Sequence, residues 1–357
     1  MRSFMTILVL AAATFIAGCK RDDPPGNVTG SGSTFVWPIM TRWVHEYERN
    51  EGKKVEYKPR GSSLGIEDVL GRKVDFGCSD GPLSDERMAD LKNKGAEVVH
   101  VPLILSAVVP VYNLDEIKEP IRFTGPVLAD IYLGKIKKWN EQPLREVNPT
   151  LQLPDKEIAV VHRSDGSGTT YIWTDYLVKL SPAWGDYLAS KGTPGWKKTH
   201  GGVRALEWPV GVGADGNEGV ADRVKQTPGG IGYVDLADAY RKSLAFGLVQ
   251  NREQEFIRAS LDSVLKAAEN AIKDIPSDLR YSLTNAPDKG AYPITGTTWA
   301  IVYLDQTKNK RGKELVSFLT WLAEDGQLFA EQLLYAKMPP HLAEKSLAAI
   351  QLIKTGK

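Results

Sequence analysis

The sequence predicts an α/β fold on mixed sheets, divided into two lobes, and three observations predict it. Short strand-type apolar runs alternate with segments whose apolar residues recur at helical spacing, with no short-period repeat. Two long apolar, β-branched stretches, over 98–112 and 295–304, are each long enough to leave one unit and enter another. Three Gly/Ser/Thr turns, over 30–35, 60–65 and 163–170, each open a helix. Two crossings place both chain ends in the first lobe and the middle of the chain in the second.

The elements follow in order. Gly30-Ser31-Gly32-Ser33-Thr34-Phe35 precedes a helix on which Val36, Met40, Trp43, Val44 and Tyr47 share a face. Lys53-Lys54-Val55-Glu56-Tyr57 reads as a strand. Arg60-Gly61-Ser62-Ser63-Leu64-Gly65 turns into a helix carrying Ile66, Val69 and Leu70. Val74-Asp75-Phe76-Gly77-Cys78 is a short strand that ends in Ser79-Asp80-Gly81-Pro82-Leu83, and Ser84 caps a helix over 85–93. A helix falls within 128–139 and ends in the basic turn Lys135-Ile136-Lys137-Lys138-Trp139, a solvated face. Ile158-Ala159-Val160-Val161 is a strand, and helices follow near 170–180, 219–226 and 261–272, with a strand at Gly230-Ile231-Gly232-Tyr233-Val234. Three amphipathic helices, over 312–322, 327–334 and 341–353, close the chain.

The bulk numbers exclude several classes. The 357 residues are 42% apolar and 25% charged, as in an ordinary soluble protein. A net charge of +1 gives no strong field toward nucleic acid or an anionic membrane, and the nine tryptophans lie beside no basic stripe. Five scattered histidines and two cysteines lack ligand spacing, so no metal or cofactor is expected. Arg2, the apolar run over 4–16 and Ile16-Ala17-Gly18-Cys19 have the form of an export signal, 1–18, too short to span a membrane. The last four residues resemble a bacterial lipobox, which implies acylation of Cys19; residues 19–29 then form the lipidated cysteine and a polar tether. Cys78 is left as a lone thiol in an apolar strand, a buried residue.

Two familiar motifs are decoys. Gly61-Ser62-Ser63-Leu64-Gly65 matches the nucleophile elbow, with His162, His200 and His341 downstream, but its preceding strand carries Lys53, Lys54, Glu56 and Lys58, where an elbow strand is buried. Gly211-Val212-Gly213-Ala214-Asp215-Gly216, with Asp235 beyond, matches a dinucleotide fingerprint, but Trp208-Pro209 interrupts the required strand; a loop is expected there. What remains is a set of small-residue turns able to converge on one oxyanion. Bare amides at a helix N-terminus, hydroxyls and a guanidinium all donate to such a group. Thr34, Phe35 and Ser62 supply donors from two turns; Ser167, Gly168, Thr169 and Arg163 supply them from the third. Asp80 is anomalous, since a carboxylate repels an anion unless the anion brings a proton to share.

Together these pieces resemble the phosphate-binding proteins of bacterial Pst-type ABC uptake systems. The matching segments are Gly30 to Phe35, Gly61-Ser62-Ser63, Val74 to Ser84, Asp130 to Trp139, Ile158 to Thr169, and Gly230 to Val234, in the family's order over nearly all of the mature chain. The resemblance implies a two-lobed periplasmic-binding-protein fold, with a mixed sheet flanked by helices in each lobe, joined by a two-crossing hinge. Lobe I is expected over 30–106 plus 296–357 and lobe II over 107–295. Inorganic phosphate is expected in the cleft, on Thr34, Phe35, Ser62 and Asp80 from lobe I and on Arg163, Ser167, Gly168 and Thr169 from lobe II. Asp165 is expected behind Arg163. The resemblance further implies a monomeric, non-enzymatic, extracytoplasmic or periplasmic protein. It would be membrane-bound only through its lipid and would deliver phosphate to ABC permease subunits. Another tetrahedral oxyanion (sulfate, molybdate, arsenate) is the alternative ligand, and a secreted phosphatase or serine hydrolase using Ser63 or Ser167 the alternative class. Leu64, where the family often has glycine, and Val36-Trp37-Pro38 depart from the pattern.

Overall fold

The computed structural model of the chain describes residues 26–192, 202–273 and 275–356. The export signal, Cys19, residues 20–25 and His200 lie outside the described residues. The body begins earlier than expected. Strand β1 (Val28–Gly32) takes in Val28 and Thr29, assigned above to the tether, because Thr29 is tied to Asp75 Oδ2 through both its amide (2.8 Å) and its hydroxyl (3.0 Å).

The first half of the chain continues as α1 (Trp37–Glu51), β2 (Val55–Pro59), α2 (Ser62–Leu70), β3 (Phe76–Ser79), α3 (Asp85–Asn93) and the 15-residue β4 (Val98–Tyr112). Pro38 sits in the first turn of α1, where its missing N–H removes no helical bond. Ser84 caps α3 as expected, accepting from Arg87 N at 3.3 Å. The middle comprises β5 (Arg122–Phe123), α4 (Gly125–Tyr132), α5 (Gln142–Val147), β6 (Ala159–Arg163), α6 (Gly168–Leu180), α7 (Pro182–Ser190), β7 (Val212–Ala214), α8 (Gly216–Gln226), β8 (Gly230–Asp235) and α9 (Leu236–Arg241). Then follow β9 (Ala245–Phe246), β10 (Leu248–Gln250), β11 (Phe256–Ile257), α10 (Leu261–Ala271), β12 (Thr295–Tyr303), β13 (Asp305–Gln306), α11 (Gly312–Ala323), α12 (Pro340–Gln351) and β14 (Lys354–Thr355).

The main sheet runs β2-β1-β3-β12-β4-β8-β6-β7, with β9 also on β4. It is mixed: β1 is parallel to β2 and β3, β6 is parallel to β7 and β8, and β12 and β4 enter antiparallel. Strand β4 changes partner along its length. Val98 to Ala107 pairs with β12, and Val108 to Tyr112 pairs with β8. Within one continuous hydrophobic core, each side of this handover has its own group of packed aromatic rings. Tyr47 packs edge-on against Phe318 and Trp321 on one side. On the other, Trp173 stacks on Tyr233 at 5.0 Å, with Tyr132 and Trp208 against the same tyrosine. The result is the two-lobed, two-crossing α/β fold anticipated from the alternation and the two long stretches.

Two local expectations differ. Residues 327–334 are not a third amphipathic α-helix but two short 3-10 turns, Asp325–Phe329 and Glu331–Leu333. The segment is held down locally: Gln327 donates to Leu103 O and Leu322 O, and Leu334 at φ 63 ends it in the left-handed region. Residues 212–214, expected in a loop, form the edge strand β7. Gly211 at φ 103 turns the chain after Trp208-Pro209 and lays Val212 to Ala214 along β6. No helix among the described residues is long and apolar enough to cross a membrane.

Candidate functional site

The first half of the site is built around Asp80, just past the end of β3. Gly32 ends β1 at φ 132, a conformation L side chains rarely adopt, and a Cβ there would stand 2.1 Å from Cys78 O. That turn brings Ser33 Oγ to 2.7 and 2.6 Å from the two Asp80 carboxylate oxygens. Thr298 donates to Oδ1 at 2.6 Å, and Ser62, opening α2, donates to Oδ2 at 3.4 Å while accepting Asp80 N at 3.3 Å. Asp80 is 2% exposed. Burial pushes its pKa up; the hydroxyls of Ser33 and Thr298, the charge of Arg163 and the hydroxyl of Ser62 pull back, leaving it at about 6. The neighbouring Thr34 Oγ1 is buried with no hydrogen-bond partner among the described residues. Phe35 is part of the core, and its amide donates to Ser33 Oγ at 3.0 Å.

The second half is the end of β6 and the start of α6. Arg163 is 3% exposed and held from several sides. Its Nε donates to Asp165 Oδ1 at 2.6 Å, its Nη2 to Asp165 Oδ2, and its Nη1 to Asn217 Oδ1 at 2.7 Å and Thr169 Oγ1 at 3.4 Å. Asp165 thus holds the guanidinium through both carboxylate oxygens and also accepts Gly216 N at 3.2 Å. Behind it, Tyr233 Oη accepts Arg163 N at 3.2 Å and lies 2.6 Å from Thr170 Oγ1, so the aromatic core fixes the site's cation. Ser167 caps α6, accepting Thr170 N at 3.0 Å. Its own amide donates to Arg204 O at 2.9 Å, so only its hydroxyl proton faces outward chemistry. The amides of Gly168 and Thr169, first in the helix, have no intrahelical acceptor and sit at the positive end of the dipole.

These halves meet. Ser63 N donates to Gly166 O at 2.9 Å across the cleft. A Cβ added to Gly168 would stand 2.3 Å from Asp80 Oδ2 and 2.4 Å from Ser62 Oγ, so the start of α6 lies directly against the Asp80 carboxylate. Thr34, Ser62, Asp80, Arg163, Asp165, Ser167, Gly168 and Thr169 thus converge on one cleft; Phe35 reaches it only through Ser33, its side chain being in the core and its carbonyl accepting from Tyr335 Oη at 2.6 Å. Sequence reasoning passed over Ser33, although it stands inside the first turn. It also passed over Asn217, Tyr233, Thr298 and Arg204, which touch the site from distant segments and carry no local signal.

The decoys resolve structurally. Strand β2, ahead of Ser63, is the outer strand of the sheet rather than a buried one, against the elbow reading. His162 stacks on Trp208 at 4.9 Å with Nδ1 3.1 Å from Arg163 O, and burial lowers its pKa: a neutral packing residue. Asp235 accepts from Asn217 Nδ2 at 2.8 Å and so supports the arginine rather than a ribose. No cluster of three His, Cys, Asp or Glu able to hold a metal occurs among the described residues. Cys78 is a free, buried thiol.

Two lobes on a shared sheet, with polar donors from both facing one cleft, define a protein of the periplasmic binding class, and residues 20–325 match the model of the PBP superfamily domain. The chain is 37% identical to the phosphate-binding protein PstS of Xylella fastidiosa over 95% of both chains, and 32% identical to that of Methanocaldococcus jannaschii over 95% of this chain and 92% of the other. The chain belongs to the PstS family of phosphate-binding proteins. Its fold also matches solved structures. These include a phosphate-binding protein from Stenotrophomonas maltophilia (TM-score 0.65, 18% identity, 90% of this chain and 93% of that one). A putative phosphate ABC transporter substrate-binding protein from Clostridium perfringens with bound phosphate also matches (TM-score 0.60, 19% identity, 88% and 100%).

Proposed function

We propose that this chain captures inorganic phosphate between its lobes and delivers it to an ABC transporter permease. The observation that carries the reading is the pairing of Asp80 with the start of α6. A carboxylate ringed by hydroxyls faces free helix amides and a guanidinium, an arrangement that suits an oxyanion bearing a proton. Thr34, Ser62, Arg163, Ser167, Gly168 and Thr169 donate to the anion's oxygens, the Phe35 amide joins them by exchanging Ser33 Oγ for the anion, and Asp80 accepts its O–H. Asp165 holds Arg163. The lobes divide near 106/107 and 295/296, where β4 changes partner and β12 begins, and closure about these crossings traps the ligand. Titration calorimetry against phosphate, arsenate, sulfate and molybdate tests the reading: phosphate binds tightly and sulfate does not. Tight sulfate or molybdate binding with weak phosphate overturns it.

The protein acts as a monomer, binds rather than turns over its ligand, and works outside the cytoplasm. Against a hydrolase, Ser167 Oγ is engaged as the cap of α6 and Ser63 meets Gly166 O through its amide; neither hydroxyl bonds an imidazole among the described residues, and the phosphate-ester turnover expected is nil. Acylation at Cys19, after removal of 1–18, holds it on a membrane, because several acyl chains bind far more tightly than one. Cys19→Ala should move the protein from membrane to soluble fraction or retain its leader; an unacylated mature N-terminus in the parent, by mass spectrometry, refutes the anchor.

A further inference from the structure

Arg204 stands outside every motif above, yet it touches both halves of the site. Its backbone belongs to the second lobe: Arg204 O accepts Ser167 N at 2.9 Å, and Val203 is bonded through both N (2.9 Å) and O (3.2 Å) to Thr174 Oγ1 of α6. Its side chain crosses the cleft. Nη2 donates to Gly81 O at 2.5 Å and Pro82 O at 2.6 Å, and Nε donates to Ser79 Oγ at 3.3 Å. The guanidinium lies 5.2 Å over the ring of Tyr171. A Cβ on Gly81 would come within 2.5 Å of that same ring, so the Asp80 turn and α6 are in direct contact here. Asp80 is thus flanked on both sides by residues that Arg204 grips.

Two features set this contact apart from an ordinary ion pair. Among the described residues Arg204 makes no ion-pair contact with a carboxylate; its hydrogen-bond acceptors are carbonyls and a hydroxyl, and the charge of Asp80 acts on it only through space. The acceptors are also in the opposite lobe from its backbone, so they are reachable only when the lobes are together.

We infer that Arg204 is a positioning residue, a cross-cleft clamp that fixes the Asp80 turn when the lobes close and thereby slows release of the bound anion. This rests on the reading of the cleft as a phosphate trap. The bonds to Gly81 and Pro82 form late in binding, after the ligand has met either lobe, so their loss affects escape more than capture.

The test uses the mature protein, inorganic phosphate and the variants Arg204→Ala and Arg204→Lys, in stopped-flow and thermal measurements with and without phosphate. Arg204→Ala should raise the dissociation rate about ten- to a hundredfold. The association rate should move less than about threefold, and the melting temperature of the phosphate-free protein should hold. Arg204→Lys, which can still reach one carbonyl, should recover part of the slow release. An unchanged dissociation rate in Arg204→Ala overturns the clamp. So does an equal fall in melting temperature with and without phosphate, which marks a residue that merely supports its loop. Failure of the parent itself to bind phosphate refutes the cleft reading instead, and is seen before any variant is compared.

Discussion

Thr298 and Asp80, 218 residues apart in the chain, are joined by a 2.6 Å hydrogen bond, donated by the threonine hydroxyl to Oδ1. The pairing of β12 with β4 shifts register at this point, Thr298 facing Ile104 and Trp299 facing Pro102, with Leu103 of β4 the extra residue. The bond favours the ionised carboxylate, opposing the burial that pushes Asp80 up to about 6. Its effect is therefore readable in pH.

Above pH 6 Asp80 is mostly ionised and can only accept; below, it is mostly protonated and can donate. Rejection of sulfate, which has no proton to give, should weaken as pH falls from 7.5 to 5. Thr298→Val keeps the shape and removes the donor, so the Asp80 pKa rises further and the onset of sulfate competition should move to higher pH. Competition calorimetry along the pH series measures both; a parent whose sulfate rejection is flat from pH 5 to 7.5 counts against a titrating Asp80.

Gly168, like Gly166 against Ser63, marks a point where the lobes leave no room for a side chain. In Gly168→Ala the added Cβ would fall 2.3 Å from Asp80 Oδ2 and 2.4 Å from Ser62 Oγ, which holds the cleft ajar. Phosphate affinity should drop about ten- to a hundredfold, while the phosphate-free protein melts at the parent's temperature or slightly above it. Small-angle scattering should show the phosphate-bound variant less compact than the phosphate-bound parent. An identical compact profile would mean the lobes absorb the methyl elsewhere.

Much of this was legible in the sequence, for a physical reason. Three turns that open helices are local objects: Gly32, Ser62 and Ser167 announce them through small side chains and capping hydroxyls within a few residues. The first long stretch announced a crossing because a strand shared between lobes needs so many consecutive apolar residues, and β4 is buried at nearly every position; the second, β12, pairs only with β3 and the 98–107 part of β4. What escaped is what depends on tertiary placement. Thr298 and Asn217 are ordinary polar residues until the sheet brings them to Asp80 and Arg163. Val212 to Ala214 could be named a strand only once β6 offered an edge, and Gln327 breaks a good helical pattern because its side-chain amide binds Leu103 O instead.

Away from the cleft, Asp75 ties the first strand to the last third of the chain. Its carboxylate accepts from Thr29, from Asn309 at 2.9 Å and from Arg311 at 2.9 and 3.0 Å. Burial pushes its pKa up but is outweighed by Arg311, Thr29 and Asn309, and the net shift is downward. A depressed folded pKa contributes stability that is present above the unfolded value, about 4, and is lost as pH falls through the folded value. Asp75→Ala should cost about 1–3 kcal/mol at pH 7, the lower part of the range for a broken buried pair because the Arg311 side chain is 35% exposed. Denaturant melts should show the gap between parent and variant constant from pH 6 to 8 and narrowing below pH about 4. A gap of equal size at pH 3 and pH 7 contradicts the role given to the carboxylate's charge.

The sharpest consequence concerns Asp80 itself. At neutral pH phosphate carries at least one proton and sulfate carries none. An ionised Asp80 can accept from the phosphate O–H, whereas against sulfate it meets only lone pairs and negative charge in a site where it is 2% exposed. A buried charged acceptor left without a donor costs about 1–3 kcal/mol, or one to two decades of affinity, and like-charge repulsion adds to it. Ser33 and Thr298 already donate to this carboxylate, and both can still donate to the amide oxygen of an asparagine. Asp80→Asn should therefore keep its shape and retain phosphate within about tenfold, since the amide oxygen, with two lone pairs, can accept the anion's O–H in place of one of these hydroxyls. Its NH₂ can donate where the carboxylate cannot, so sulfate should compete measurably at pH 7.5, and the pH dependence predicted for the parent should vanish. Arg163→Ala should instead weaken phosphate and sulfate together, because a guanidinium draws both anions alike. Competition calorimetry at fixed ionic strength separates the two effects. If the asparagine variant rejects sulfate as fully as the parent, the discrimination lies in the count and placement of the surrounding donors, Thr34, Ser62, Gly168 and Thr169, and not in the charge of Asp80.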